Sequence, residues 1–436
     1  MHGYIVIEME KGVIKNLIVE RQQEISDIKL VERPLELEDS VNYIFTGLRR
    51  AGKSYMMYQH IQGLIKAGKA SIEDILYINF EDERLCLMKV DELNLFLECY
   101  RELYDRKPLV YLDEIQNIDG WEKFVRRLAD SKYKVFATES NAKMLSKEIY
   151  TTLGGRFLVH EVYPFSFTEY LAFNNVELTK NWEYNHVRTQ VVKLFDDYFY
   201  YGGFAESFPL KDKRSWLNAL YQKILLGDVV FRNSIRNENA IKVLVKKLAE
   251  SVMQQSSLAR IKNVVDASGT SIARNTLIEY LQLLSDAYLI FGVSNFSDKL
   301  SDKETFKKRY FFDNGLLTNF LFDPETKLLE NMVAIQLRKT YGEGLYFYNK
   351  NIEVDFYVPD NGLAIQASYN IQDDITRRRE VKALLKLADV YNLKNLEIIT
   401  KDEEAIINEN GHVINVIPIW KWLLLNSKYP YSVPSG

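Results

Sequence analysis

The chain of 436 residues carries 56 Lys and Arg against 60 Asp and Glu, a net charge of −4 that argues against binding nucleic acid over its whole surface. Its composition, 47% hydrophobic and 27% charged, is ordinary for a soluble protein of roughly two to four domains, and no apolar run approaches the ~18 residues of a membrane helix, so no membrane partner is expected. Two cysteines, Cys86 and Cys99, exclude a disulfide framework or thiolate metal site and fit a reducing cytoplasm, and the five His show neither HxxH nor HExxH spacing.

In chain order, the opening MHGYIVIEMEKGV breaks its apolar run with Glu8 and Glu10 and does not read as a signal peptide; residues 1–20 are expected to be an N-terminal extension. From there short apolar runs alternate with amphipathic stretches. Strands are expected at 41–46, 75–80, 109–112, 134–138 and 157–162, with helices at 55–67, 85–104, 120–129 and 144–152 between them. This alternation predicts an α/β domain over residues 21–170, a parallel sheet with helices on both faces.

After Pro164 the pattern turns helical, with helices expected at 190–201 and 214–228. Three further helices, at 241–254, 258–267 and 271–286, lead into a strand, a charged loop at 297–308 and a second strand. Helix, turn, helix and β-wing describe a winged helix, so residues 171–309 are expected to form a helical and winged-helix domain. Arg274 is the one cation of its second helix that faces a groove, so nucleic acid remains only a candidate partner. A final α/β unit, 310–436, begins with a helix at 326–340, strands at 345–349, 352–358 and 362–369, a basic helix at 376–387 and a strand at 396–400.

The motif with the clearest chemistry is FTGLRRAGKS. Gly47, Leu48, Arg49, Arg50, Ala51, Gly52, Lys53 and Ser54 match GxxxxGK[ST] between a predicted strand and a predicted helix that opens at Tyr55. The glycines let the backbone fold so that its amides point at phosphate oxygens, and the helix adds its positive end. Lys53 is expected to reach the β and γ phosphates and Ser54 to hold Mg²⁺; Arg49 and Arg50 either approach the nucleotide or face solvent or a domain contact. Some 60 residues on, LVYLDE ends an apolar strand with Asp113, a candidate for the Mg²⁺ shell, and Glu114, a candidate to polarise the attacking water. By its resemblance to P-loop ATPases, in which the strand after the acidic one inserts beside the loop-bearing strand, the chain is expected to bring Thr138, Ser140 and Asn141 at the tip of 134–138 near the γ-phosphate or the water. Alternatively, Ser140 or Asn141 serves to cap the next helix. Arg156, before the fifth strand, either makes a surface salt bridge or reaches a neighbour's γ-phosphate, which would imply a homo-oligomer.

FTGLRRAGKS, YINFEDERL, VYLDEIQNIDGWEKFVRRL, ATESNAKMLSKEIYTTLGGRFLVHEVYPFSFTEYL and YFYYGGFAE together resemble the AAA-like P-loop ATPases of bacteria and archaea. LIEYLQLLSDAYLIF, YFFDNGLL, LLENMVAIQLRK, EVDFYV, LAIQASY and VIPIWKWLL resemble that family's C-terminal domain, so the likeness spans nearly all of 20–425. It implies an AAA-like P-loop fold, ATP binding and hydrolysis, and a C-terminal domain similar to restriction endonucleases of the PD-(D/E)xK type. Relatives usually have Thr-Gly-Ser where this chain has Thr138-Glu139-Ser140, and a Glu there repels a γ-phosphate unless it points away. In the nuclease-like unit Glu330 and Asp355 are in place, but the (D/E)xK position reads Gln366-Ala367-Ser368. A neutral Gln binds metal weakly and Ser368 removes the ammonium, so cleavage is not expected. The leading functional expectation is an ATP-hydrolysing switch. The alternatives are an ATP-dependent DNA-binding or DNA-cleaving protein and a non-hydrolysing ATP-binding module.

Overall fold

The computed structural model describes residues 11–140 and 151–427, and the chain divides after Val162 into two units. In the first, β1 (Asn42–Thr46), β2 (Ile75–Asn79), β3 (Leu109–Asp113), β4 (Lys134–Glu139) and β5 (Phe157–Glu161) form one sheet in the order β2-β3-β4-β1-β5. Every neighbouring pair is parallel, as the apolar runs joined by helices require. β4 lies between β1 and β3, so the tips of these three strands stand side by side at the carboxyl edge, where open α/β sheets place their ligands.

Helices α1 (Lys11–Asp27), α2 (Lys53–Lys66), α3 (Asn94–Tyr104) and α4 (Trp121–Asp130) flank this sheet. The first two corrections to the sequence reading lie here. The 20/21 boundary falls inside α1, whose Ile14, Leu17 and Ile18 sit at helical spacing in the core of the sheet. Gln22 of the same helix donates to the Ile75 carbonyl at 2.8 Å and accepts from the Tyr104 hydroxyl at 2.6 Å. The expected helix at 85–104 begins only at Asn94. Asp82 accepts from the Arg84 amide and Glu92 from the Lys89 amide, and these local bonds hold two separate 3₁₀ turns instead. Most of the helix expected at 144–152, and Asn141 with it, lies outside the described residues.

On the other face of the sheet His60 of α2 packs its ring 4.5 Å from Phe136, with Nδ1 2.9 Å from the Tyr111 hydroxyl. Burial, with Lys134 nearby, lowers its pKa from 6.5 to about 4. The unfolded chain therefore takes up a proton that the folded one refuses, and stability is lost as pH falls from 6.5 towards 4. The loss should reach at most about 3 kcal/mol. Thermal melts across that window should show the slope, and a His60→Gln variant should flatten it.

The second unit begins with α5 (Phe167–Phe173), α6 (His186–Tyr201) and α7 (Lys213–Gln222), the last continued by a π-helical turn, Lys223–Phe231. Then come α8 (Glu238–Glu250), α9 (Leu258–Ala267) and α10 (Arg274–Asp286). Its nine-stranded sheet comprises β6 (Ser256–Ser257), β7 (Ile290–Asn295), β8 (Phe306–Phe311), β9 (Tyr346–Asn349), β10 (Glu353–Val358), β11 (Leu363–Ala367), β12 (Asn395–Thr400), β13 (Ala405–Glu409) and β14 (His412–Pro418). The order is β13-β14-β12-β11-β10-β9-β7-β8-β6.

The parallel pairing of β7 with β9 makes the expected 171–309 and 310–436 segments share this sheet, and the 309/310 boundary falls inside β8. The 170/171 boundary likewise falls inside α5. The charged segment expected as a wing tip at 297–308 contains α11 (Leu300–Thr305) and the start of β8. The remaining helices are α12 (Asn314–Thr318), α13 (Glu325–Tyr341), α14 (Asp374–Tyr391) and α15 (Ile419–Leu425).

Two quoted motifs meet at Asp313. Its buried carboxylate accepts from the amides of Gly203 and Gly315, both at 2.8 Å, and a Cβ on Gly202 would stand 2.0 Å from Asp313 Oδ1. Glycine in YFYYGGFAE is thus demanded by the approach of the carboxylate in YFFDNGLL, and this is packing rather than catalysis.

Candidate functional site

The loop after β1 turns sharply at its first residue. Gly47 has φ +142°, and a Cβ there would stand 2.1 Å from the Val162 carbonyl, so a side chain is excluded by the neighbouring backbone. Arg50 (φ +62°) and Gly52 (φ +95°) are also left-handed, and Gly52 caps α2. Leu48 and Ala51 bury their side chains.

Lys53 is 4% exposed and donates to the carbonyls of Gly47 and Leu48 at 3.2 Å, so its ammonium lies within the curl of the loop. Ser54 is among the groups that favour the ionised Asp113 carboxyl, which places the two expected Mg²⁺ ligands near one another. Tyr55 is half exposed on the first turn of α2 and stacks towards Tyr58 at 5.7 Å. Arg49 pairs with Glu81 at 2.9 Å, so the acidic turn after β2 touches the loop through that pair.

The acids at the tip of β3 are held from several sides. Asp113 accepts from the Tyr77 hydroxyl at 2.6 Å and from the Thr138 hydroxyl at 2.5 Å, while Thr138 Oγ1 accepts from the Glu114 amide at 2.8 Å. Ser140 donates to the Glu114 carboxylate at 2.7 Å, Gln116 does so at 2.5 Å, and Lys53 Nζ stands 3.7 Å away. Glu114 sits at φ +50°, a conformation costly for a residue with a side chain and common where a site aims one.

Two carboxyls so close cannot both ionise freely. Burial and then Glu114 push Asp113 up. Burial also works against Glu114, but Lys53, Ser140, Arg49 and Gln116 outweigh it and hold Glu114 below its ordinary value. Glu139 is buried between Thr138 and Ser140 in the sequence. Strand alternation turns it to the face opposite Thr138, away from Asp113.

One expected residue is not brought to this site. Arg156 precedes β5, whose start pairs with Asn42 at the edge opposite the loop, and its guanidinium meets Asp130 at 2.5 Å. Its observed role in this chain is the surface ion pair. Arg33 and Tyr77 went unforeseen. Arg33 is buried and donates to the Ala51 carbonyl at 2.9 Å, bracing the loop from outside, and Gln59 of α2 clamps the Arg33 backbone at both its amide (2.8 Å) and its carbonyl (2.6 Å).

In the second unit a lysine takes the place that Ser368 leaves empty. Lys308 of β8 is fully buried, with Nζ 3.0 Å from Asp355, 3.0 Å from Glu353 and 3.5 Å from Glu330. The Tyr310 hydroxyl donates to Glu330 at 2.7 Å, and Gln366 donates to Glu380 at 2.8 Å while accepting from the Asp355 amide at 2.8 Å. Burial opposes the charge on Lys308, but the three carboxylates outweigh it and raise its pKa. The expectation that this cluster lacks an ammonium is therefore corrected: the cation comes from a strand 47 positions away from Asp355.

Comparison with known proteins matches residues 40–171 to an AAA domain and 192–327 to a domain of unknown function. An uncharacterized protein of Haemophilus influenzae is 29% identical over 394 residues, 87% of this chain and 94% of that one. Among solved structures, the Walker-type ATPase PABY2304 of Pyrococcus abyssi aligns with TM-score 0.37 and 13% identity over 72% of this chain and 96% of its own. AMPPCP-bound DnaA from Aquifex aeolicus aligns with TM-score 0.25 and 16% identity over 65% and 89%. The uncharacterized protein MJ1544 of Methanocaldococcus jannaschii is 35% identical over 432 residues, 95% of this chain and 96% of its own length. With that extent of identity, and an AAA domain carrying the loop and the acid pair, the chain belongs to the family of MJ1544.

Proposed function

We propose that the chain binds ATP with Mg²⁺ and hydrolyses it, and that nucleotide state acts as its switch. The observation that carries this reading is the convergence of Lys53, Ser54, Asp113, Glu114, Thr138 and Ser140 at one edge of a parallel sheet. The residues fit the ligand: left-handed turns present loop amides, a buried ammonium lies in the curl, and the Asp113 carboxyl is held at the neighbouring strand tip by the Tyr77 and Thr138 hydroxyls. Ser54 and Asp113 would hold Mg²⁺, which would supply positive charge against the phosphate tail. Lys53 holds the β and γ phosphates and leaves Glu114 for them. Glu114, ionised and oriented by Ser140, takes a proton from water.

We read α9, α10, β7 and β8 as a winged helix, and the terminal elements as a nuclease-like scaffold. The neutral Gln366, hydrogen-bonded to Glu380 at the position of the second acid, supports a scaffold that does not cleave DNA. Calorimetry tests the core of the proposal. ATP with Mg²⁺ should bind the wild type with measurable heat, and Lys53→Ala should lose it. Absence of heat from the wild type at millimolar ATP, or an unchanged isotherm for Lys53→Ala, would refute nucleotide binding.

A further inference from the structure

The surface of the second unit carries an array that the nucleotide site does not use. On α14, Arg378, Lys382 and Lys386 stand at i, i+4 and i+8, one stripe along the helix, with Arg377 beside it. All four are exposed, and among the described residues none of them forms an ion pair. Their neighbour Arg379 is instead bound to Glu380 at 2.5 Å.

The four cations line a cleft of about 540 Å³ whose other wall is β13, the edge strand of the sheet, through Ile407, and the turn beyond it. The cleft's carboxylates stand towards its ends. Asp374 opens α14, while Asp389 lies near its close and pairs with His412, the residue that starts β14 and stands opposite Glu409, the last residue of β13. The central stretch is left positive in a chain whose net charge is −4.

We propose that this cleft binds the phosphate backbone of nucleic acid. Successive cations at four-residue spacing rise about 6 Å along the helix, and the stripe from Arg378 to Lys386 spans about 12 Å. A phosphodiester strand offers anions at a regular short repeat whatever its sequence. An acidic peptide would need carboxylates at chosen positions. The lining contains no aromatic ring on which a base could stack, so contact is to the backbone and independent of sequence.

Fluorescence anisotropy with labelled duplex and single-stranded oligonucleotides, run on the full chain across a salt series, tests this. Binding should weaken steeply with salt. The triple variant Arg378→Glu, Lys382→Glu, Lys386→Glu should bind at least roughly tenfold more weakly, with a log–log slope against salt shallower by about 2 to 3. Because the residues are exposed, the variant should keep the wild-type circular dichroism and melting temperature; a milder double variant, Lys382→Gln with Lys386→Gln, should give an intermediate loss. No binding to either nucleic acid at low salt, an unchanged slope in the variants, or displacement of the oligonucleotide by a lower concentration of polyglutamate would each overturn the proposal. Since ATP binding is measured separately, failure here leaves the nucleotide site standing, and failure there leaves the cleft.

Discussion

Glu114→Gln is expected to leave ATP binding intact while phosphate release falls by about 10²- to 10⁴-fold, the usual contribution of a positioned general base. The amide keeps the size of the side chain and can still accept from Ser140, which now bonds Glu114 at 2.7 Å. The left-handed backbone at φ +50° and its amide bond to Thr138 are untouched. What the substitution removes is the negative charge that Lys53, Ser140 and Arg49 keep ionised against burial. Lys53 also loses its carboxylate neighbour at 3.7 Å, so the ammonium is freer for phosphate and affinity should hold or rise. The measurement is steady-state phosphate release at saturating ATP beside a calorimetric affinity for the same variant. Release at the wild-type rate would remove Glu114 from the chemistry, and the hydrolytic part of the proposal with it.

The parts of this site that were legible in the sequence are those whose partners are fixed by the chain's own order. GxxxxGK[ST] and the strand ending in Asp113-Glu114 each announce themselves locally, while the insertion of β4 beside β1 was expected only from the resemblance to P-loop ATPases. The five strands were placed to within one or two residues because parallel, doubly covered strands are short apolar runs bounded by polar turns. Arg33 was not legible. It reaches the loop only because the segment before β1 folds back onto Gln59 of α2, and no local pattern encodes that return.

Arg156, expected in a surface salt bridge or at a neighbour's γ-phosphate, pairs with Asp130, because the parallel direction of β5 puts the strand's start at the edge opposite the loop. Domain boundaries were misplaced for a related reason. The pairing of β7 with β9 joins residues about 50 positions apart into one sheet, and composition does not change across that join.

Lys308 was hidden in the run FKKRYFF, where three cations in a row suggested an exposed wing. The signal was the alternation, since Lys308 shares a strand face with Tyr310 and both are fully buried. Burial at that depth makes Lys308→Met the substitution with the largest expected effect on folding. Methionine matches the length of the stem but leaves Glu330 and Asp355 without the cation between them. Removing one partner of a buried ion cluster costs about 3–5 kcal/mol, so the second unit should melt roughly 10 °C lower, at the 2–4 °C per kcal/mol typical of this size.

The loss should be partly recovered in two ways. Glu330, pushed up to about 8 by burial and by Asp355, holds a proton below that pH and then needs no counter-ion, so the loss should be smaller at neutral pH than above pH 8. Adding Asp355→Asn to Lys308→Met should also destabilise less than the sum of the two single changes, because each single change strands a charge that the double variant removes. Calorimetric melts of the four proteins at neutral pH and above pH 8 measure both effects. A Lys308→Met variant that melts within 2 °C of the wild type, or strict additivity with Asp355→Asn, would mean that the ammonium does not hold the carboxylates together.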